Sequence, residues 1–129
     1  VDADIASDYM GQENQLLGEG VVGQHDYVPA AVLAGAVLED ALRRLCQRQS
    51  PPIDIHTYDK NGNQKGKKTL DPLIADLQKA KVYNKAKADQ LRAWAKTRNY
   101  AAHGEFTEFK RSEVEAMIAG IQNFIADHL

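Results

Sequence analysis

The chain has 129 residues, 43% hydrophobic and 26% charged, with a formal net charge of −2; that suits one compact domain with its own core and leaves little room for two. Mild net acidity argues against a protein that coats nucleic acid through bulk charge, though not against a local basic site. No apolar run approaches the roughly 18 residues of a membrane span, no signal-peptide pattern is visible, and the lone Cys46 makes neither an intrachain disulfide nor a cysteine-based metal site, so a reducing cytoplasm is the expected location.

Residues 1–25 read as an N-terminal arm or short helix, with Ile5, Tyr9, Leu16 and Leu17 on a thin apolar face and the hinge GEGVVG behind it. Gly18, Gly20 and Gly23 have the spacing of the dinucleotide motif G-x-G-x-x-G, but that motif needs a strand before it and a βαβ unit around it. A polar, Gln- and Glu-rich segment precedes these glycines and a helix follows, so a hinge is expected and no cofactor. The first residue is Val1 rather than Met, which keeps a larger parent protein among the expectations.

Residues 26–129 form the second unit. VPAAVLAGAVLEDALRRLCQRQ, residues 28–49, predicts a helix with Asp26 as its cap and Pro29 in the first turn, where a missing N–H costs nothing. Its apolar face takes Val32, Leu33, Ala36, Val37, Ala41, Leu42, Leu45 and Cys46, and Ala31, Ala34, Gly35 and Ala36 permit another helix to approach closely. Arg43, Arg44 and Arg48 complement the helix dipole, and Ser50-Pro51-Pro52 stops the helix. Next, Ile53, Ile55 and Thr57 alternate with Asp54, His56 and Tyr58, and Asn61-Gly62 is a turn signal. A small hairpin and an irregular insertion fit this stretch equally well.

Asp71-Pro72 predicts the start of a second helix, with Leu73, Ile74 and Leu77 buried and an end near Lys81. Asn84 can cap a third, which buries Ala88, Leu91, Trp94 and Ala95 and ends at Gly104, where a left-handed residue is wanted. Ser112-x-x-Glu115 has the form of a capping box before a fourth, with a stripe of Val114, Met117, Ile118, Ile121, Phe124 and Ile125. The expected fold is all-α: an antiparallel bundle of four to five helices, with the hairpin or irregular insertion between the first two.

Little in this framework carries chemistry. His25, His56, His103 and His128 are scattered, with no H-E-x-x-H pair, Cys/His cluster or inward Glu-x-x-His repeat, so no metal is expected. His25 and His56 read as surface or loop residues, His128 as a helix end, and Trp94 as core rather than a base-stacking platform. The lysines Lys60, Lys65, Lys67 and Lys68 fit a solvated loop or a phosphate grip.

RNYAAHG, residues 98–104, is the exception. A histidine near a helix C-terminus followed by glycine is in part an ordinary helix ending. Asn99 and His103 stand four apart on one face, whereas Arg98 and His103 diverge by roughly 140° in an ideal helix. A guanidinium grips a phosphate with a charged fork, and imidazole exchanges a proton near neutrality. Metal-free RNA cleavage needs both: one group takes the 2′-OH proton, another protonates the leaving 5′ oxygen, and a cation stabilises the phosphorane. One chain offers a single suitable histidine, and two chains about a two-fold axis offer two of each residue.

The chain resembles the HEPN family (higher eukaryotes and prokaryotes nucleotide-binding) over about residues 26–129, through AAVLAGAVLEDALRRLC, LRAWAKTRNYAAHGEF and SEVEAMIAGIQNFI. Many HEPN domains are dimeric, metal-independent ribonucleases whose motif is Arg, four to six residues, then His, often with a polar residue after the Arg. The resemblance implies that Arg98 holds the scissile phosphate, His103 acts as general acid or base, and Asn99 orients one of them or the substrate. Glu39 is the carboxylate expected to approach, with an ion pair to Arg43 as its plainer role. Tyr100, Lys65, Lys67 and Lys68 are supporting or RNA-binding candidates. A homodimer of a prokaryotic defence, abortive-infection or toxin–antitoxin system is implied, with a noncatalytic nucleotide- or RNA-binding or dimerisation module as the alternative. The family branch regulated by a nucleotidyltransferase antitoxin carries Tyr two residues after the His; this chain has Glu105 there.

Overall fold

The structure, a computed structural model, describes residues 27–129. The N-terminal arm, the glycine hinge and the Asp26 cap lie outside these residues. In chain order come α1 (Tyr27–Arg48), β1 (His56–Tyr58), β2 (Gln64–Lys67), α2 (Leu70–Lys79), α3 (Lys85–Ala102) and α4 (Arg111–His128). The described chain is thus predominantly helical with one two-stranded sheet, and none of its helices is long and apolar enough to cross a membrane.

α1 is the hub, packed against each of the other three helices. Its small residues make this geometry available, since Ala31, Ala34 and Gly35 are all buried where neighbouring backbones come close. That also moves its buried stripe away from the expected one. Leu33 is 39% exposed and Ala36 is exposed, while Leu38 is fully buried. The stripe centres on Ala34, Leu38, Ala41 and Leu45, and one residue off that line turns a side chain by roughly 100°. The expected stripes of α2, α3 and α4 are buried, and Trp94 lies in the core with its indole over Gly120 of α4.

Several contacts fix the helix directions. Leu70 and Asp71 at the start of α2 meet Arg98 and Asn99 near the end of α3, and Gln78 at the far end of α2 accepts a 2.7 Å hydrogen bond from Arg92; these helices are antiparallel. Tyr83, just before α3, contacts Phe124 and His128 at the end of α4, so α3 and α4 are antiparallel too. α1 and α4 start together, with Tyr27 edge-on to Phe109 at 5.5 Å. Glu39 of α1 shares a cleft with Leu70 and Asp71 at the start of α2, and Cys46 further along α1 is near Asp76 further along α2, so these two helices run in the same sense. Strict alternation of direction, as expected of an antiparallel bundle, therefore holds from α2 to α4 but not between α1 and α2.

Of the two forms open for residues 53–70, the chain takes the hairpin. β1 and β2 are antiparallel, pairing His56 with Lys67, Thr57 with Gly66 and Tyr58 with Gln64, with a bulge between the last two pairs. Asp59 closes the turn: its carboxylate accepts from the backbone N–H groups of Asn61 and Asn63, each at 2.9 Å, and Gly62 supplies the positive φ of 82°. Helix ends depart from the motifs by a residue or two. Thr69, not Asp71, is the N-cap of α2, which puts Asp71 and Pro72 in its first turn. α4 starts at Arg111, ahead of the Ser112-x-x-Glu115 pattern, and Glu113 accepts from the Lys110 backbone N–H at 3.2 Å. Asn84 caps α3 as expected, accepting from the Lys87 N–H at 2.9 Å.

Candidate active site

Near its C-terminal end α3 passes directly over Gly35. A Cβ built on Gly35 would lie 2.3 Å from Cγ of Arg98 and 3.0 Å from its Cβ, so the arginine stem occupies the space that any larger residue in α1 would fill. The guanidinium end reaches a small cleft of about 120 Å³ where α1, the α2 start and α3 meet, lined by Glu39, Thr69, Leu70, Asp71, Arg98 and Asn99. Within it, Nη1 of Arg98 donates to Oδ1 of Asn99 at 3.2 Å. Arg98 makes no ion pair among the described residues, although two carboxylates line the same cleft.

Glu39 has two kinds of neighbour. It lines the cleft, and it accepts from Arg43 at 2.6 Å as an i,i+4 pair. The second use of Arg43 explains why that pair forms here: its Nη2 also donates to the Lys68 carbonyl at 3.0 Å, tying the hairpin to α1. Its Nε is buried without a hydrogen-bond partner. Most of the negative charge of Glu39 is therefore answered by Arg43, which leaves the Arg98 cation free to meet another anion.

His103 is not in the cleft. It is the C-cap of α3, with an exposed side chain that makes no hydrogen bond to another described residue. Its position is nevertheless set by the backbone, because its N–H donates to the Asn99 carbonyl at 3.0 Å and Gly104 (φ 74°) turns the chain away. One chain thus brings together Arg98, Asn99 and Glu39 and leaves His103 one turn on, facing solvent. Tyr100 also lies outside the cleft, half-buried against the core with Lys96 5.7 Å from its ring centre. Lys65 and Lys67 are exposed on β2, and Lys68 is paired with Asp76 at 2.8 Å.

Thr69, Asp71 and Gly35 belong to this site and were not expected there. The first two arrive through the tertiary packing of α2 on α3, which no local pattern encodes. Gly35 was visible as one of four small residues, but only the fold shows that it receives Arg98. Away from the cleft, Cys46 is fully buried and its thiol is pushed up to about 11, first by burial and then by the neighbouring Asp76. Among the described residues no group of three or more His, Cys, Asp or Glu side chains is placed to hold a metal ion. No protein-family model, curated protein or solved structure matches the chain.

Proposed function

We propose that this chain is a HEPN-type, metal-independent endoribonuclease of a prokaryotic defence or toxin system, active as a homodimer. The observation that carries this reading is the state of Arg98: its stem packs on Gly35, its fork lies beside Asn99 in an open cleft, and it makes no ion pair among the described residues. A planar fork of charged donors suits a phosphodiester, whose oxygens accept two parallel hydrogen bonds. His103, exposed one turn further on, is available to a substrate spanning the end of α3. In this mechanism one imidazole removes the 2′-OH proton and the oxygen attacks phosphorus. The imidazole of a second copy protonates the departing 5′ oxygen, and Arg98 stabilises the phosphorane between them. The products are a 2′,3′-cyclic phosphate and a 5′-hydroxyl.

Purified protein incubated with labelled RNA in excess EDTA tests this reading. Cleavage is expected, and Arg98→Ala and His103→Ala should each lower it by about 10²-fold or more with helix content unchanged. Cleavage that survives both substitutions would contradict the assignment. A second reading, a noncatalytic RNA- or nucleotide-binding or dimerisation module, draws on the mixed charge of the cleft, since the Asp71 carboxylate opposes an incoming phosphate. It expects dimers, no cleavage by the wild type, and partner binding that neither substitution disturbs.

A further inference from the structure

Tyr58 is one of two large apolar side chains that stand exposed among the described residues, at 51%. It is also held in place. Its hydroxyl donates to Oδ2 of Asp54, whose other oxygen accepts from the His56 backbone N–H at 2.9 Å and lies 3.2 Å from Nδ1 of the His56 ring. Asp54 therefore contacts both side chains, which stand two residues apart on β1 and so on one face of the hairpin. Strand pairing adds to that face, because Lys67 stands opposite His56 and Gln64 opposite Tyr58.

The charge around these rings is positive. Between Asp54 and Lys68 the chain has four lysines and two aspartates, in a protein whose net charge is −2, with Lys68 paired to Asp76 of α2. Both aspartates are engaged within the hairpin, Asp59 by its own turn and Asp54 by Tyr58 and His56. Lys60, Lys65 and Lys67 are exposed and make no ion pair among the described residues. β2 then runs through Lys68 and Thr69 into the first turn of α2, which lines the cleft beside Arg98.

We propose that the β1–β2 hairpin is a binding arm for single-stranded RNA, with one base stacked on Tyr58 and the backbone phosphates held by Lys60, Lys65 and Lys67. An exposed, pre-positioned aromatic ring bordered by unpaired cations is what a single strand offers partners for: each base has a π-face and each linkage an anion. A duplex keeps its bases stacked on one another and gains nothing from the ring. The surface is separate from the cleft and does not depend on cleavage. It deepens the ribonuclease reading by giving the substrate a path to Arg98.

Fluorescence anisotropy in EDTA, with a labelled unstructured 12-nucleotide RNA and the same strand in a duplex, tests the arm. Using His103→Ala as the background keeps the probe intact. Tyr58→Ala should weaken single-strand binding by about 5- to 100-fold, and Tyr58→Phe, which keeps the ring but loses its bond to Asp54, should weaken it less. Replacing Lys60, Lys65 and Lys67 together by Ala should weaken binding and flatten its dependence on salt. Unchanged affinity in Tyr58→Ala, or equal affinity for the duplex, overturns the proposal. Tyr58-dependent binding by a protein whose wild type leaves RNA intact upholds the arm and removes the nuclease.

Discussion

At the residue scale, Tyr58 and Asp54 report on each other. The shared hydrogen bond raises the Tyr58 phenol above its ordinary value, and the same bond, followed by the His56 backbone N–H, lowers the Asp54 carboxyl. For the tyrosine the folded value is the higher one, so its contribution is present below the unfolded phenol pKa and is lost as pH rises through the folded value. For the aspartate the folded value is the lower one, so its contribution is present above the unfolded carboxyl pKa and is lost as pH falls through the folded value. The bond should thus persist across the neutral range. Ultraviolet titration of the tyrosinates checks this directly: Asp54→Asn should bring one phenol back toward its ordinary midpoint. Cys46 makes a second residue-level prediction. A buried thiol with a raised pKa is a poor nucleophile, so a thiol reagent at neutral pH should modify it only after denaturation, and rapid labelling of the native protein would show that the α1 core opens readily.

At the element scale, two glycines let helices cross at close range, and they should behave differently when filled. Gly35→Ala puts a methyl against the Arg98 stem close to the α3 backbone, where the side chain has little freedom to swing aside. Gly120→Ala puts one 2.2 Å from Cζ2 of Trp94, inside the core. Overpacking of this kind costs about 1–3 kcal/mol, less up to about 1 kcal/mol regained from better helix propensity. Both variants should therefore lose some stability in urea. Only Gly35→Ala should also lose RNA cleavage, because only it displaces Arg98, whereas Gly120→Ala should shift tryptophan fluorescence and keep its activity. Equal cleavage by the two at a temperature where both are folded would separate Arg98 from the chemistry. The α3 cap offers a simpler check: Asn84→Ala removes the acceptor for the Lys87 N–H and should cost about 1 kcal/mol in a urea melt.

At the scale of the whole molecule, what could be read from the sequence depended on how local its cause was. The apolar stripes of α3 and α4 repeat at helical spacing, and all ten of the residues expected on them are buried. Asn84 and Gly104 act through bonds to their own helix, and both are where the sequence put them. Local causes were less decisive where two signals competed, as at Thr69 against Asp71 or Lys110 against Ser112, since several residues in a row can begin a helix. The buried side of α1 differs from the expected one at Leu33 and Ala36 because three helices choose it, and none of them is encoded within α1. The same holds for the candidate site. Arg98, Asn99 and Glu39 could be singled out by residue type, but their meeting with Thr69 and Asp71 depends on α2 doubling back along α3. His103 lies one turn beyond that meeting point, at the exposed end of α3.

The most direct measurement of the central claim is the chemistry of the cut end. Wild type and His103→Ala, prepared identically and shown to be folded, are incubated with end-labelled RNA in excess EDTA, and the products are resolved by mass spectrometry. Termini bearing a 2′,3′-cyclic phosphate are expected from the wild type alone. Fragments ending in a 3′-hydroxyl, or equal cleavage by His103→Ala, would contradict that claim.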